Sequence, residues 1–120
     1  MHYAPLGRSG LVVSRICLGG NSWGAKGRRG WGAFVLLRMV PRDEVVISTK
    51  VGIAVGDGPN DAGLGRKHVV RSVDAQLRRL RTDHIDVYQV HRLDPHTPVE
   101  ETMYSLDQIV RSGKVRYIGC

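Results

Sequence analysis

Two side chains of this 120-residue chain stand where their types and positions could do chemistry. Lys50 follows the apolar, mostly β-branched run Val45–Thr49, and His91 follows Ile85–Val90. Both runs read as strands of a parallel sheet. In repeating β/α folds, the carboxyl ends of such strands form the face that carries active sites. An ammonium and an imidazole brought together there can polarise and protonate a bound oxygen, since the imidazole changes charge near neutrality. From pattern alone each has a plainer alternative: a solvated lysine and a hydrogen-bonded histidine.

Other arrangements fail on spacing. Gly63-Leu64-Gly65-Arg66-Lys67-His68 starts like a dinucleotide fingerprint but follows a loop and has His68 where the third glycine belongs. His84, His91 and His96 lack cysteine partners and ligand spacing, so no metal site is expected. Cys17, within an apolar run, reads as buried and inert.

The elements that must position Lys50 and His91 follow from periodicity. Tyr3–Leu6 and Leu11–Ser14 flank Gly7-Arg8-Ser9-Gly10 as a hairpin. Ile16–Leu18 is a short buried strand ending at Gly19-Gly20. Ala33–Val40 offers one or two helical turns before Pro41. Val45–Thr49 is apolar on both faces, as a parallel strand covered on both sides would be. A glycine-rich loop, 51–65, leads to a helix over 66–80 with a stripe of Val70, Val73, Leu77 and Leu80. After Ile85–Val90, Thr97-Pro98-x-Glu100 predicts a capping box for a helix over 98–112. Its stripe would be Val99, Met103, Leu106 and Val110, and Gly113 would end it. Val115–Ile118 starts another strand. The order β-α-β-α-β gives an α/β class with parallel strands and right-handed crossovers.

Composition excludes several classes. The chain is 42% hydrophobic and 24% charged, enough for one domain over 1–120, with no low-complexity tract. No apolar run approaches a membrane span, and the amino terminus lacks a signal pattern. Two separated cysteines make no disulfide framework, so a cytoplasmic location is expected. The net charge of +7 would suit an anion- or nucleic-acid-binding module. The clusters Lys26/Arg28/Arg29 and Arg78/Arg79/Arg81 carry no nucleic-acid-binding motif, however, and read as solvated faces.

The residues also carry a family pattern. Tyr3-x-x-Leu6-Gly7-x-Ser9-Gly10-Leu11-x-Val13-Ser14, Leu18-Gly19-Gly20 and Trp23-Gly24 resemble the start of aldo-keto reductases, in the branch that includes potassium-channel β subunits. Arg42 to Gly52, Gly63-Leu64-x-Arg66-Lys67-His68, Leu77 to Arg92, Asp94-Pro95, Thr97 to Thr102 and Gly113 to Gly119 continue it. The resemblance covers 3–24 and 41–120. It implies the amino-terminal part of a (β/α)8 barrel with a hairpin cap, and NAD(P)H-dependent reduction of small carbonyl compounds. NADP is the expected cofactor. Lys50 would match the lysine that lowers the pKa of a catalytic tyrosine, and His91 the histidine that orients the substrate. Gly20, Asn21 and Trp23 would line the same mouth beside the cofactor.

The departures matter as much. The family's Asp-Thr-Ala-x-x-Tyr-Gly segment, source of its aspartate and tyrosine, is absent. Residues 19–44 number 26, where a helix, a strand and another helix with their loops need roughly 35–45. Residues 25–40 therefore read as an atypical segment replacing that stretch. The sequence stops at Cys120, before the family's Ser-Asn pair. The resemblance thus implies a shortened oxidoreductase fragment, inactive alone, with open barrel edges that could self-associate. Two readings compete: a reductase completed by a partner chain, and a basic anion- or nucleic-acid-binding module. Gly65 stands where the family has a capping serine, and Arg81 where it has glycine. A left-handed Arg81 would cost about 1–2 kcal/mol.

Overall fold

A computed structural model describes residues 2–14 and 39–120. The chain divides into two compact units, Met1–Glu44 and Val45–Cys120. Ile16–Leu18, Gly20, Asn21, Trp23 and nearly all of 25–40 lie outside the described residues.

In the first unit, β1 (Tyr3–Pro5) and β2 (Val12–Ser14) pair antiparallel, Tyr3 opposite Ser14 and Pro5 opposite Val12. Ser9 closes the turn by donating its hydroxyl to the Leu6 carbonyl at 2.7 Å and accepting the Leu11 N–H at 3.3 Å. This is the hairpin the turn residues required. A 3-10 turn over Arg42–Glu44 ends the unit.

The second unit is β3 (Ser48–Val51), α1 (Arg66–Leu80), β4 (Ile85–Val90), α2 (Val99–Arg111) and β5 (Val115–Gly119). Its strands form an open parallel sheet in the order β3-β4-β5. Sequence reasoning located both helices and the last two strands to within a residue or two. It misplaced β3 by three residues. The Ile47 N–H is held by the Asp86 carboxylate at 2.7 Å, and the Ile47 carbonyl accepts from both Asp86 and Val87 N–H. Val45–Ile47 therefore precede the ladder, and Lys50 sits inside the strand rather than after it.

One face of the sheet packs on the helices. Val51 and Tyr88 on that face form a core with Val69 and Val73 of α1 and Leu106 and Ile109 of α2, and Ile85 and Val115, the first residues of β4 and β5, join the same cluster. Register puts Thr49 and Val51 beside Tyr88 and Val90 on that face. The other face carries Ser48, Lys50, Val87, Gln89 and Tyr117. Ser48, Lys50 and Tyr117 are exposed, so β3 is not covered on both sides.

The helices also sit differently from their predicted stripes. Val69 is the deepest position of α1 beside Val73, while Val70, Leu77 and Leu80 pack at its margin. On α2 the buried line is Thr102, Ser105, Leu106 and Ile109, and Val99 and Met103 are exposed. The polar members can be buried because each hydroxyl has a backbone acceptor: Ser105 donates to the Glu101 carbonyl at 2.7 Å, and Thr102 reaches the Leu64 carbonyl at 3.5 Å.

Candidate active site

Lys50 lies in β3 and His91 directly follows β4, its neighbour in the sheet, both toward the carboxyl end of the strands. Lys50 pairs in register with Gln89, two residues before His91, and the His91 N–H donates to the Val51 carbonyl at 2.9 Å. Adjacent strands lie about 4.8 Å apart, and alternation continued from Gln89 puts His91 on the Lys50 face. Both side chains are exposed. Among the described residues no carboxylate forms an ion pair with Lys50. Gln76 of α1 fixes the strand end by donating its amide to the Lys50 carbonyl at 3.0 Å. The same face carries Gln89 and Gly119; an added Cβ at Gly119 would stand 3.7 Å from Gln89 Cγ. Gln89 escaped sequence reasoning, although its place two residues before His91 was a usable signal.

The tyrosines do not complete this pair. Tyr88 is fully buried on the helix-facing side of the sheet, opposite Thr49 rather than Lys50. Its phenol is pushed well above the ordinary range, first by burial and then by the charge of Asp74. Among the described residues the Tyr88 hydroxyl has no hydrogen-bond partner. Such a phenol releases its proton less readily than one in water, the reverse of what proton donation at neutral pH requires. Tyr3 and Tyr104 are exposed, in the hairpin and on α2. Tyr117 shares the Lys50 face but lies two strands away, level with Val87 and Ser48 rather than with Lys50.

The loops beyond β3 and β4 are tied by one carboxylate. Asp94 accepts the Thr97 hydroxyl at 2.7 Å and the Leu64 N–H at 2.8 Å on Oδ2, and the His96 N–H at 3.0 Å on Oδ1. These donors, Thr97 first, hold its pKa down from 3.8 to about 2. Gly63 fits beside it only without a side chain: its φ is +81°, and a Cβ would meet Asp94 Oδ2 at 2.5 Å. Asp61 pins the outer loop by accepting the Gly58 N–H and pairing with Arg71, and both interactions lower its pKa, the Gly58 bond most.

Thr97 thereby departs from its predicted role. Its hydroxyl is spent on Asp94, Pro98 takes the N-cap position of α2, and no side chain caps that end. The cap that sequence reasoning missed belongs to α1. Gly65 offers no side chain, and Glu101 of α2 accepts the Arg66 N–H at 3.0 Å instead. Arg81 is left-handed, with φ 54° and ψ 45°, as its replacement of glycine required.

The architecture around these residues is a parallel β/α unit, β3-α1-β4-α2-β5. The sequence profile of the Aldo/keto reductase family matches residues 15–120, and the chain belongs to that family. It is 34% identical over 173 aligned residues to versiconal hemiacetal acetate reductase of Aspergillus parasiticus, covering 99% of this chain and 50% of that protein. It is 42% identical over 78 residues to L-glyceraldehyde 3-phosphate reductase of Escherichia coli (strain K12), covering 65% and 22%. A probable voltage-gated potassium channel subunit beta of Arabidopsis thaliana is 45% identical over 78 residues, covering 65% and 24%. The chain spans about half the length of the curated relatives it matches over nearly its whole length. The 173 aligned positions against 120 residues here leave at least 53 positions of the Aspergillus reductase with no counterpart. Among the described residues no helix is long and apolar enough to cross a membrane, and no cluster suited to a metal occurs.

Proposed function

We propose that this chain carries part of a carbonyl-reducing centre, in which Lys50 and His91 bind and orient the oxygen of a small aldehyde or ketone. The observation that supports it is their placement on one face of adjacent parallel strands. The Lys50 ammonium would stabilise negative charge developing on that oxygen, and the His91 imidazole would donate a hydrogen bond to it. On this reading β3-β4-β5 is a sector of a (β/α)8 barrel, working in the cytoplasm, and its open edges are where it would self-associate.

The nicotinamide dinucleotide, NADP on this reading, supplies hydride when bound. The described residues do not fit it. The one glycine-rich turn before a helix has His68 at the third position, buried and bonded to Asn60 and Ser72. Gly20, Asn21 and Trp23 remain candidates for contacts to it. With no tyrosine between Tyr3 and Tyr88, Tyr88 facing the core and Tyr117 two strands from Lys50, the described residues offer no phenol beside Lys50 as proton donor. General acid catalysis contributes about 10²–10⁴-fold, so the isolated chain is expected to turn over far more slowly than its relatives. NADPH oxidation with an aromatic aldehyde, followed by absorbance, tests this against a Lys50→Met control. Turnover at an ordinary enzyme rate that Lys50→Met abolishes would establish a partner-completed enzyme instead.

A further inference from the structure

We propose that the cavity formed by the loops after β3 and β4 is a binding site for a phosphate group, carried on a small phosphomonoester. This goes beyond the reductase reading and does not depend on it, because neither Lys50 nor His91 lines the cavity. The cavity is a half-open concavity of about 680 Å3, within the usual span of small-ligand sites. Arg66, Lys67, Arg92 and His96 line it, with two carboxylates, Asp94 and Glu101.

The carboxylates are already committed. Both oxygens of Asp94 accept bonds from Leu64, His96 and Thr97, and Glu101 accepts the Arg66 N–H. That last bond also means the first amide of α1 is not the attraction; the side chains are. Among the described residues Lys67 and Arg92 have no carboxylate within ion-pair distance. Arg66 is steadied over the Tyr104 ring at 5.2 Å. Three permanent cations, Arg66, Lys67 and Arg92, therefore stand against two carboxylates in a concavity, which concentrates the field of the excess positive charge. Guanidinium groups match the paired oxygens of a phosphate.

The wall is built rather than loose. His68 is 2% exposed, with its Nδ1 3.2 Å from the Asn60 carbonyl and its Nε2 3.4 Å from Ser72 Oγ. A single phosphate on a small body suits this site better than a nucleic acid, because no tyrosine, tryptophan or phenylalanine lines the cavity to offer a base a broad stacking platform.

Glycerol 3-phosphate, titrated into the full chain and followed by amide NMR shifts, tests the proposal. Saturable shifts at millimolar ligand, centred on 63–68 and 92–97, are expected. Arg92→Gln and Lys67→Gln should each weaken binding by about three- to tenfold. Both residues are exposed, so neither substitution should unfold the chain. Arg78→Gln, which removes an exposed cation that does not line the cavity, should leave binding unchanged. Shifts that never saturate, or an equal loss in Arg78→Gln, would overturn the site in favour of general charge attraction. Stacking-dependent binding of a single-stranded oligonucleotide in preference to the phosphomonoester would also overturn it.

Discussion

The two helices of the larger unit end in opposite ways. α2 has Glu100 and Glu101 in its first turn and Arg111 in its last, and the chain leaves it through Gly113 at φ +77°. Those charges complement the helix dipole, and glycine takes the left-handed turn without strain. α1 has no acid in its first turn and an arginine held left-handed at its carboxyl end, although Arg78 and Arg79 suit its last turn; neither helix has a side-chain cap of its own. Local sequence thus specifies α2 and leaves α1 dependent on distant residues. Glu101 and Asp94 supply what α1 and the loop before it lack.

The difference is open to attack at four points. The largest effect is expected from Asp94→Ala, which strands the Leu64 and His96 amides and the Thr97 hydroxyl. A loss of about 2 kcal/mol is expected by urea unfolding, given that Asp94 is partly exposed. The same carboxylate sets an acid limit. Its folded pKa, about 2, lies below its ordinary 3.8. Its contribution is therefore fully present above about pH 4 and lost as pH falls toward 2. A chain whose stability is flat across that window would show the clamp to be idle.

Glu101→Ala comes next. It should remove about 1 kcal/mol, a typical cap, with amide exchange accelerating at the start of α1 and little at α2. Equal acceleration in both helices would erase the asymmetry. Arg81→Gly should act in the opposite direction, raising stability by about 0.5–1 kcal/mol in thermal unfolding because the left-handed strain disappears. The smallest change is expected from Tyr88→Phe, which deletes a buried hydroxyl with no partner among the described residues. Stability should hold or rise slightly, and a marked loss would reveal a bond that the hydroxyl makes after all.

How much of this was legible in the sequence follows the same division. Ile85–Val90 and the two helix spans were readable because apolar periodicity and glycine positions are local. The neighbouring parallel strands that carry Lys50 and lead to His91 were also readable, although Lys50 proved to lie inside β3 rather than after it. β3 was misread because Val45–Ile47 look like a strand, while the Ile47 N–H goes to the Asp86 side chain, 39 residues away, and the paired register starts only at Ser48. The α2 stripe was misread because hydropathy does not reveal that Thr102 and Ser105 satisfy their hydroxyls on the backbone. The roles of Asp94 and Glu101 depend on contacts spanning 30 and 35 residues, which no local pattern encodes.

The bond from Glu101 to Arg66 has a consequence in time. A ribosome adds roughly 5–20 residues per second, so the carboxylate emerges about 2–7 s after the amide it will cap. A helix of this size relaxes within about a microsecond. For nearly all of that interval α1 must open and close without its partner, its core face unshielded. Its persistence would begin only when α2 arrives. A nascent chain arrested before Glu101 should therefore be the form that a holding chaperone grips, and one arrested beyond β5 should be released.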